Sequence, residues 1–235
     1  MRRTAQFLLD LLYPNRCGCC NACIPWNALL CDACAAALRP VTVCERCGKA
    51  PCCCQEDLSY AGAAVCYAYA DTARAGILCL KQGENRNFGV HAGQLLAAGL
   101  RGRAAFTCVV PVPMSRRQQR ERGYNQAAVI ARAVGEALQL PVREDCLRRR
   151  YSAVAQHTLD AKAWTAHTTI YEATGVRLDG ACVILCDDVL TTGSTMRRCA
   201  MLLREAGAET IYIAAAAATM QQTAGRKEDE EWILA

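Results

Sequence analysis

Eleven cysteines lie between Cys17 and Cys54, and six of them form pairs at two-residue spacing: Cys17 with Cys20, Cys31 with Cys34, Cys44 with Cys47. Such a pair makes a knuckle that offers two thiolates to one ion, and two knuckles complete the tetrahedral four-sulfur shell of structural zinc. The spacing predicts two zinc ions. Cys17, Cys20, Cys31 and Cys34 take the first, with Cys20 and Cys23 as another register for its first knuckle. Cys44, Cys47, Cys52 and Cys54 take the second, where "PCCC" leaves the choice among Cys52, Cys53 and Cys54 open. A stretch of about fifty residues cannot otherwise build a core, so metal replaces one. No pair sits at a strand-to-helix junction of thioredoxin type, which speaks against a redox role. Cys66, Cys79, Cys108, Cys146, Cys182, Cys186 and Cys199 are spread singly through apolar surroundings and read as small core residues.

Disulfides are the other use of so many thiols. The opening "MRRTAQFLLDLLYPNRC" has only a short apolar run, interrupted by Asp10, and no small-residue cleavage site, so no secretory signal is expected. No apolar run approaches the roughly twenty residues a membrane span takes. The expected location is cytoplasmic, where thiols stay reduced. The 235 residues are 53% apolar, enough for one good-sized core, and carry a net charge of +5. Positive charge gathers between 101 and 150, with eleven arginines against four acids, which points to phosphate-bearing partners.

Cysteine density drops after "QEDLSY", which divides the chain into a cysteine-rich zinc-ribbon module over 1–57, a domain over 58–219 and a polar tail over 220–235. In the domain, strand-like and helical stretches alternate. "AAVCYAYA", "FTCVVPVP", "GACVILC" and "TIYIAAAAA" read as strands, the middle two as continuous apolar runs buried on both faces. "VREDCL" reads as a short strand. "ARAGILCLKQG", "FGVHAGQLLAAGL", "YNQAAVIARAVGEALQL" and "STMRRCAMLLREAG" have apolar residues at helical spacing. Alternation of this kind predicts an α/β fold with a doubly wound parallel sheet. Residues 148 to 174 are polar and poorly periodic, and read as a long, mobile loop with some helix in it, of the length that usually serves function.

"VILCDDVLTTGST" sets Asp187 and Asp188 at the end of a buried strand and follows them with Thr191, Thr192, Gly193, Ser194 and Thr195. Ligands of open α/β sheets bind beyond the carboxyl ends of the strands. Carboxylates there can accept hydrogen bonds from a ribose diol, and the backbone N–H groups of a tight turn opening a helix form an anion cradle. A sugar 5-phosphate matches both. The bland alternative is a polar turn. Neither a dinucleotide fingerprint nor a nucleoside-triphosphate loop occurs in the chain. In "SRRQQRERGYNQ", Arg116, Arg117, Arg120 and Arg122 could contact ligand phosphates or track a nucleic-acid backbone, with Tyr124 as a stacking platform; a solvated surface is the alternative. The histidines His91, His157 and His167 lack metal-ligand spacing.

"VILCDDVLTTGST" resembles the signature of type I phosphoribosyltransferases, which bind phosphoribosyl pyrophosphate (PRPP) with magnesium. Together with the cysteine pairs, "LCLKQG" and "CVVPVPMSRRQQRERGYNQA", the order of motifs is similar to the ComF family, known for a role in bacterial DNA uptake during competence. The resemblance implies a parallel-sheet type I phosphoribosyltransferase fold behind a zinc ribbon. It gives Asp187 and Asp188 the ribose hydroxyls, Thr191 to Thr195 the 5-phosphate, and Val110 to Pro113 the side facing pyrophosphate. Two positions depart from the pattern. Purine-type members carry a carboxylate where Thr191 stands, and a threonine is no acid or base near neutral pH. Gln156 and Leu159 match the family's mobile loop, but its arginine and asparagine are Trp164 and His167, leaving Lys162 or Arg148 to Arg150 to supply positive charge. The resemblance thus implies a phosphosugar-binding protein of DNA uptake, with single-stranded DNA and other uptake proteins as partners. Transfer of phosphoribose to a small acceptor, or a non-catalytic PRPP sensor docking through its zinc module, are the rival expectations.

Overall fold

The structure is a computed structural model that describes residues 14–52, 54, 58–83, 85–150 and 171–220. Helix α1 (Asp32–Ala37) belongs to the cysteine-rich part. Then follow β1 (Gly62–Ala68), α2 (Asp71–Gln82), α3 (Asn87–Leu100), β2 (Cys108–Pro111), α4 (Arg116–Arg122), α5 (Gln126–Leu138), β3 (Leu147–Arg149), β4 (Tyr171–Ala173), β5 (Cys182–Leu190), α6 (Ser194–Glu205) and β6 (Thr210–Ala218). The four long strands form one sheet in the order β1, β6, β5, β2, and every neighbouring pair is parallel. This is an α/β architecture on a parallel sheet, as the alternation of strands and helices predicts.

The sheet's central strands are apolar on both sides, as a parallel sheet covered on both faces requires. On one face, Ile184 and Cys186 pack against Ile77, Leu80, Phe88, Leu96 and Ile130 from α2, α3 and α5. On the other, Val183 and Leu185 meet Met196, Cys199, Leu202 and Leu203 of α6. Both outer strands are lined by irregular chain. Residues 40–45 run along β1, with a Pro40–Tyr67 bridge, Val41 N–H donating to Cys66 O (3.1 Å) and Ala63 N–H to Glu45 O. Residues 141–143 do the same for β2, through Val109 N–H to Pro141 O (2.9 Å) and Arg143 N–H to Val109 O (2.8 Å).

Three local readings change. "VREDCL" is not one strand: Val142 makes an isolated bridge to Val109, residues 144 and 145 turn, and Leu147 opens β3. The segment from 148 to 174 is not all loop, because Leu147–Arg149 pairs antiparallel with Tyr171–Ala173. Residues 151–170, which include Gln156, His157, Leu159, Lys162, Trp164 and His167, lie outside the described residues, as does the tail from 221. Third, β5 does not stop before the aspartates but continues to Leu190. Its neighbour β2 is what stops: Pro111 and Pro113 flank Val112, whose N–H makes the last bond to β5, at Cys186 O (2.8 Å). Proline has no N–H to extend a ladder. Asp187 and Asp188 therefore project past the end of β2, where a crevice opens.

Candidate functional site

The thiols of Cys17, Cys20, Cys31 and Cys34 lie within 4.8 Å of one another, and so do those of Cys44, Cys47, Cys52 and Cys54. A tetrahedral shell with Zn–S bonds of about 2.3 Å places sulfurs roughly 3.8 Å apart. The 3.7 Å between Cys20 and Cys31 and the 4.0 Å between Cys47 and Cys52 fit it. The donors also suit a thiolate site. Burial opposes ionisation of Cys17, but N–H groups of Cys20, Cys19 and Cys31 aimed at its sulfur outweigh it and bring the thiol down to about 6. The N–H groups of Cys47 and Arg46 bring Cys44 to about 6 as well. Cys23 stands apart from the first cluster, bridging Arg16. Cys53 lies outside the described residues.

The aspartates line a cavity of about 260 Å³ with Lys81, Val112, Pro113, Arg122, Arg149, Tyr171 and Thr195. Successive residues of a strand point to opposite sides. Asp188 turns to α2, where Lys81 Nζ pairs with its Oδ2 at 3.0 Å. Asp187 turns to Tyr171, Cys199 and Arg149. Burial first, then the neighbouring Asp188 charge, hold the Asp187 carboxyl well above the usual carboxylate range; the Asp188 N–H, Lys81 and Arg149 pull the other way. The two charges are thus not equal partners in repulsion: one is paired and the other is held toward its neutral form.

A raised carboxyl pKa has a signed consequence. The folded protein binds the proton more tightly than the unfolded chain, so stability falls as pH rises above about 4, the unfolded Asp value, until the raised folded value is passed. Asp187→Asn removes this loss. Without ligand, the variant is expected to melt about 2–4 °C above wild type at pH 7.5, the shift for roughly 1 kcal/mol in a chain of this size, and to match it near pH 4. Thermal melts across that range check this; a variant that melts lower at pH 7.5 would show a site built for the charge.

After β5, Gly193 sits in the left-handed region (φ 81°) as the N-cap of α6 and gives no side-chain cap. Ser194 N–H reaches Thr192 Oγ1 (3.4 Å), and the other first-turn N–H groups of α6 are left for another acceptor. Thr192 Oγ1 and Ser194 Oγ lie 3.0 Å apart beside them, with Thr191, Thr192 and Ser194 exposed. The carboxylates and the α6 N-terminus are therefore joined by one strand end.

The arginine segment divides. It forms a helix, α4, capped by Ser115 Oγ accepting from Gln118 N–H. Arg116 and Arg117 line a second cleft of about 570 Å³ with Arg148, Arg149 and Arg150 from the β3 side. Arg122 lines the aspartate cavity instead, and Arg120 lines neither. Tyr124 is no stacking platform. It is only 8% exposed, its hydroxyl donates to Leu80 O (2.7 Å), and Arg86 covers its ring at 4.4 Å. The Gly123 turn, in the left-handed region, ends α4 and sends the chain inward at this residue. Lys81 is a site residue that sequence reasoning missed as such, although "LCLKQG" contained it, whereas Arg149 is one of the Arg148 to Arg150 group named there as a source of positive charge.

Among the described residues no helix is long and apolar enough to cross a membrane. Residues 125–234 match the sequence family described as phosphoribosyl transferase domain. The chain is 32% identical over 113 residues to Competence protein F of Haemophilus influenzae, covering 45% of this chain and 47% of that protein. It is 27% identical over 105 residues to DNA utilization protein YhgH of Escherichia coli O157:H7 (45% and 46% covered). With Competence protein ComFC of Bacillus subtilis it shares 29% over 99 residues (42% and 39%). The matches span about half the length of these curated relatives, or less. Among solved structures, glutamine PRPP amidotransferase from B. subtilis superposes with a TM-score of 0.40 at 19% identity, over 55% of this chain and 26% of that one. Purine phosphoribosyltransferase from Pyrococcus horikoshii Ot3 gives 0.38 at 18% identity, over 55% and 72%.

Proposed function

We propose that the chain is a ComF-type protein with a phosphoribosyltransferase-like domain and that it binds PRPP or a related phosphosugar in the crevice at the end of β5. The observation that supports this reading is the pair of carboxylates placed one strand end away from the α6 N-terminus, whose N-cap Gly193 offers no side chain. Asp187 and Asp188 take the ribose hydroxyls, and Thr191, Thr192, Gly193, Ser194 and Thr195 take the 5-phosphate. Pyrophosphate lies toward Val112 and Pro113, where Lys81, Arg122 and Arg149 supply positive charge. The carboxylates and the ligand's phosphates are the oxygen donors magnesium takes, and bound magnesium would neutralise the pyrophosphate. Thr191 cannot serve a purine acceptor as base, which favours a different small acceptor or a sensing role. Zinc on Cys17, Cys20, Cys31 and Cys34 and on Cys44, Cys47, Cys52 and Cys54 is structural.

Asp188→Asn is expected to weaken PRPP–magnesium binding by about 1–3 kcal/mol, the scale for losing a charged hydrogen-bond partner. Calorimetric titration measures this, and melts with and without PRPP check it independently through the ligand-dependent rise. A wild-type protein that takes up no PRPP, or a variant that binds it equally, places the ligand elsewhere.

The 570 Å³ arginine cleft favours a second activity beside the first. Its five guanidinium groups suit the repeating phosphates of single-stranded DNA, in keeping with the competence and DNA-utilization names of the relatives. This is the route by which the chain would act in DNA uptake.

A further inference from the structure

The second cysteine cluster is built against the root of the 191–195 loop. Its first knuckle closes tightly, with Gly48 N–H donating to Cys44 O (2.7 Å) and Cys44 N–H to Lys49 O (3.1 Å). Gly48 has φ 72°, and a methyl group placed on it would stand 2.8 Å from Leu190 Cδ2 and 3.0 Å from Ala63 Cβ. Only glycine lets the knuckle approach Leu190, the last residue of β5, this closely. Tyr60 fixes the far side by donating to Cys47 O (3.2 Å).

This docking brings Lys49 across to Gly193. A methyl on Gly193 would lie 3.5 Å from Lys49 Cε and 3.8 Å from Nζ. The ammonium therefore stands beside the N-cap of α6, the positive end of a twelve-residue helix. Among the described residues no carboxylate pairs with it. A cation at that end of a helix is disfavoured alone and favoured with an anion between the two.

We infer that the second zinc cluster is an arm of the phosphate site, holding Lys49 over Gly193 so that its ammonium meets the ligand's 5-phosphate and phosphosugar affinity depends on zinc at that cluster. The inference rests on the phosphosugar reading above and adds to it a residue 144 positions away in sequence from the loop it serves. Two metal sites then have different duties: the first packs beside α3, away from this loop, and the second governs the ligand.

The test is calorimetric titration of ribose 5-phosphate, and of PRPP with magnesium, into the full chain, with zinc per chain measured on the same samples. Lys49→Ala is expected to weaken both ligands about 10- to 100-fold with zinc content unchanged, the loss for one charge-assisted hydrogen bond, and Lys49→Arg to recover most of it. Cys52→Ser should lose one zinc and show a similar loss of affinity. Lys49→Ala binding both ligands as wild type does, with zinc in place, overturns the arm while leaving the phosphosugar site standing. Wild type binding neither ligand overturns both.

Discussion

Cys17→Ser should release one zinc per chain and lower the melting temperature by on the order of 10 °C, well beyond the roughly 2–4 °C that 1 kcal/mol shifts a domain of this size. The size of the effect follows from where the first cluster sits. Cys17 and Cys19 are buried in the same core as Ile77, Phe88 and Ile184, and a side chain on Gly18 would collide with the Phe88 backbone. Asn85 donates to Arg16 O (2.7 Å), and Asn87 donates to Asn15 Oδ1 and Arg16 O (both 2.8 Å), tying the knuckle to the start of α3. Losing the metal frees a loop whose ordering zinc supplies and also strips one wall of the core. Scanning calorimetry with elemental analysis decides it: protein purified without chelator that holds no zinc, or a variant with unchanged melting, removes the metal from the account.

Arg116→Ala/Arg117→Ala should flatten the salt dependence of single-stranded DNA binding. Each lost phosphate contact lowers the slope of log affinity against log salt by about 0.7, so a drop near 1.4 is expected, with severalfold weaker binding at low salt. Stability should hold, because both side chains are exposed and the Arg117–Glu121 pair (2.9 Å) is a surface contact of little worth. Arg120→Ala is the built-in control: it carries the same charge on the same helix but lines no part of the cleft. Fluorescence anisotropy at several salt concentrations separates the cases. Equal slopes for wild type and the double variant return these arginines to solvent; an Arg120→Ala loss as large as either would make the effect one of general charge.

What could be read from residue order alone was what local chemistry encodes. The two-residue cysteine spacing dictated the knuckles, and the structure groups the same eight thiols, choosing Cys20 over Cys23. The apolar runs of β2, β5 and β6 and the helical periodicity of α2, α3, α5 and α6 were equally local. Failures came where a distant segment decides. The aspartates read as a strand end because the proline that ends the ladder sits on β2, about seventy residues earlier. Lys81 reaches Asp188, and Lys49 reaches Gly193, only through packing of α2 and the second knuckle. Tyr124 looked like a stacking surface from its basic neighbours, yet the apolar face of α5 that follows it draws the ring inward.

Residues 40–45, lying along β1, have a consequence for how copies of this chain behave toward one another. An open strand edge is a template for a second chain. Here the covering segment lies between thiols of different clusters, Cys34 before it and Cys44 near its far end. With an ion in each cluster the segment would be held against β1, where its contacts at Tyr67, Cys66 and Ala63 occupy that edge. Metal loss at either end would loosen it and bare β1, next to the alanine-rich β6. Zinc held at both clusters would thereby guard the protein against strand-by-strand self-association.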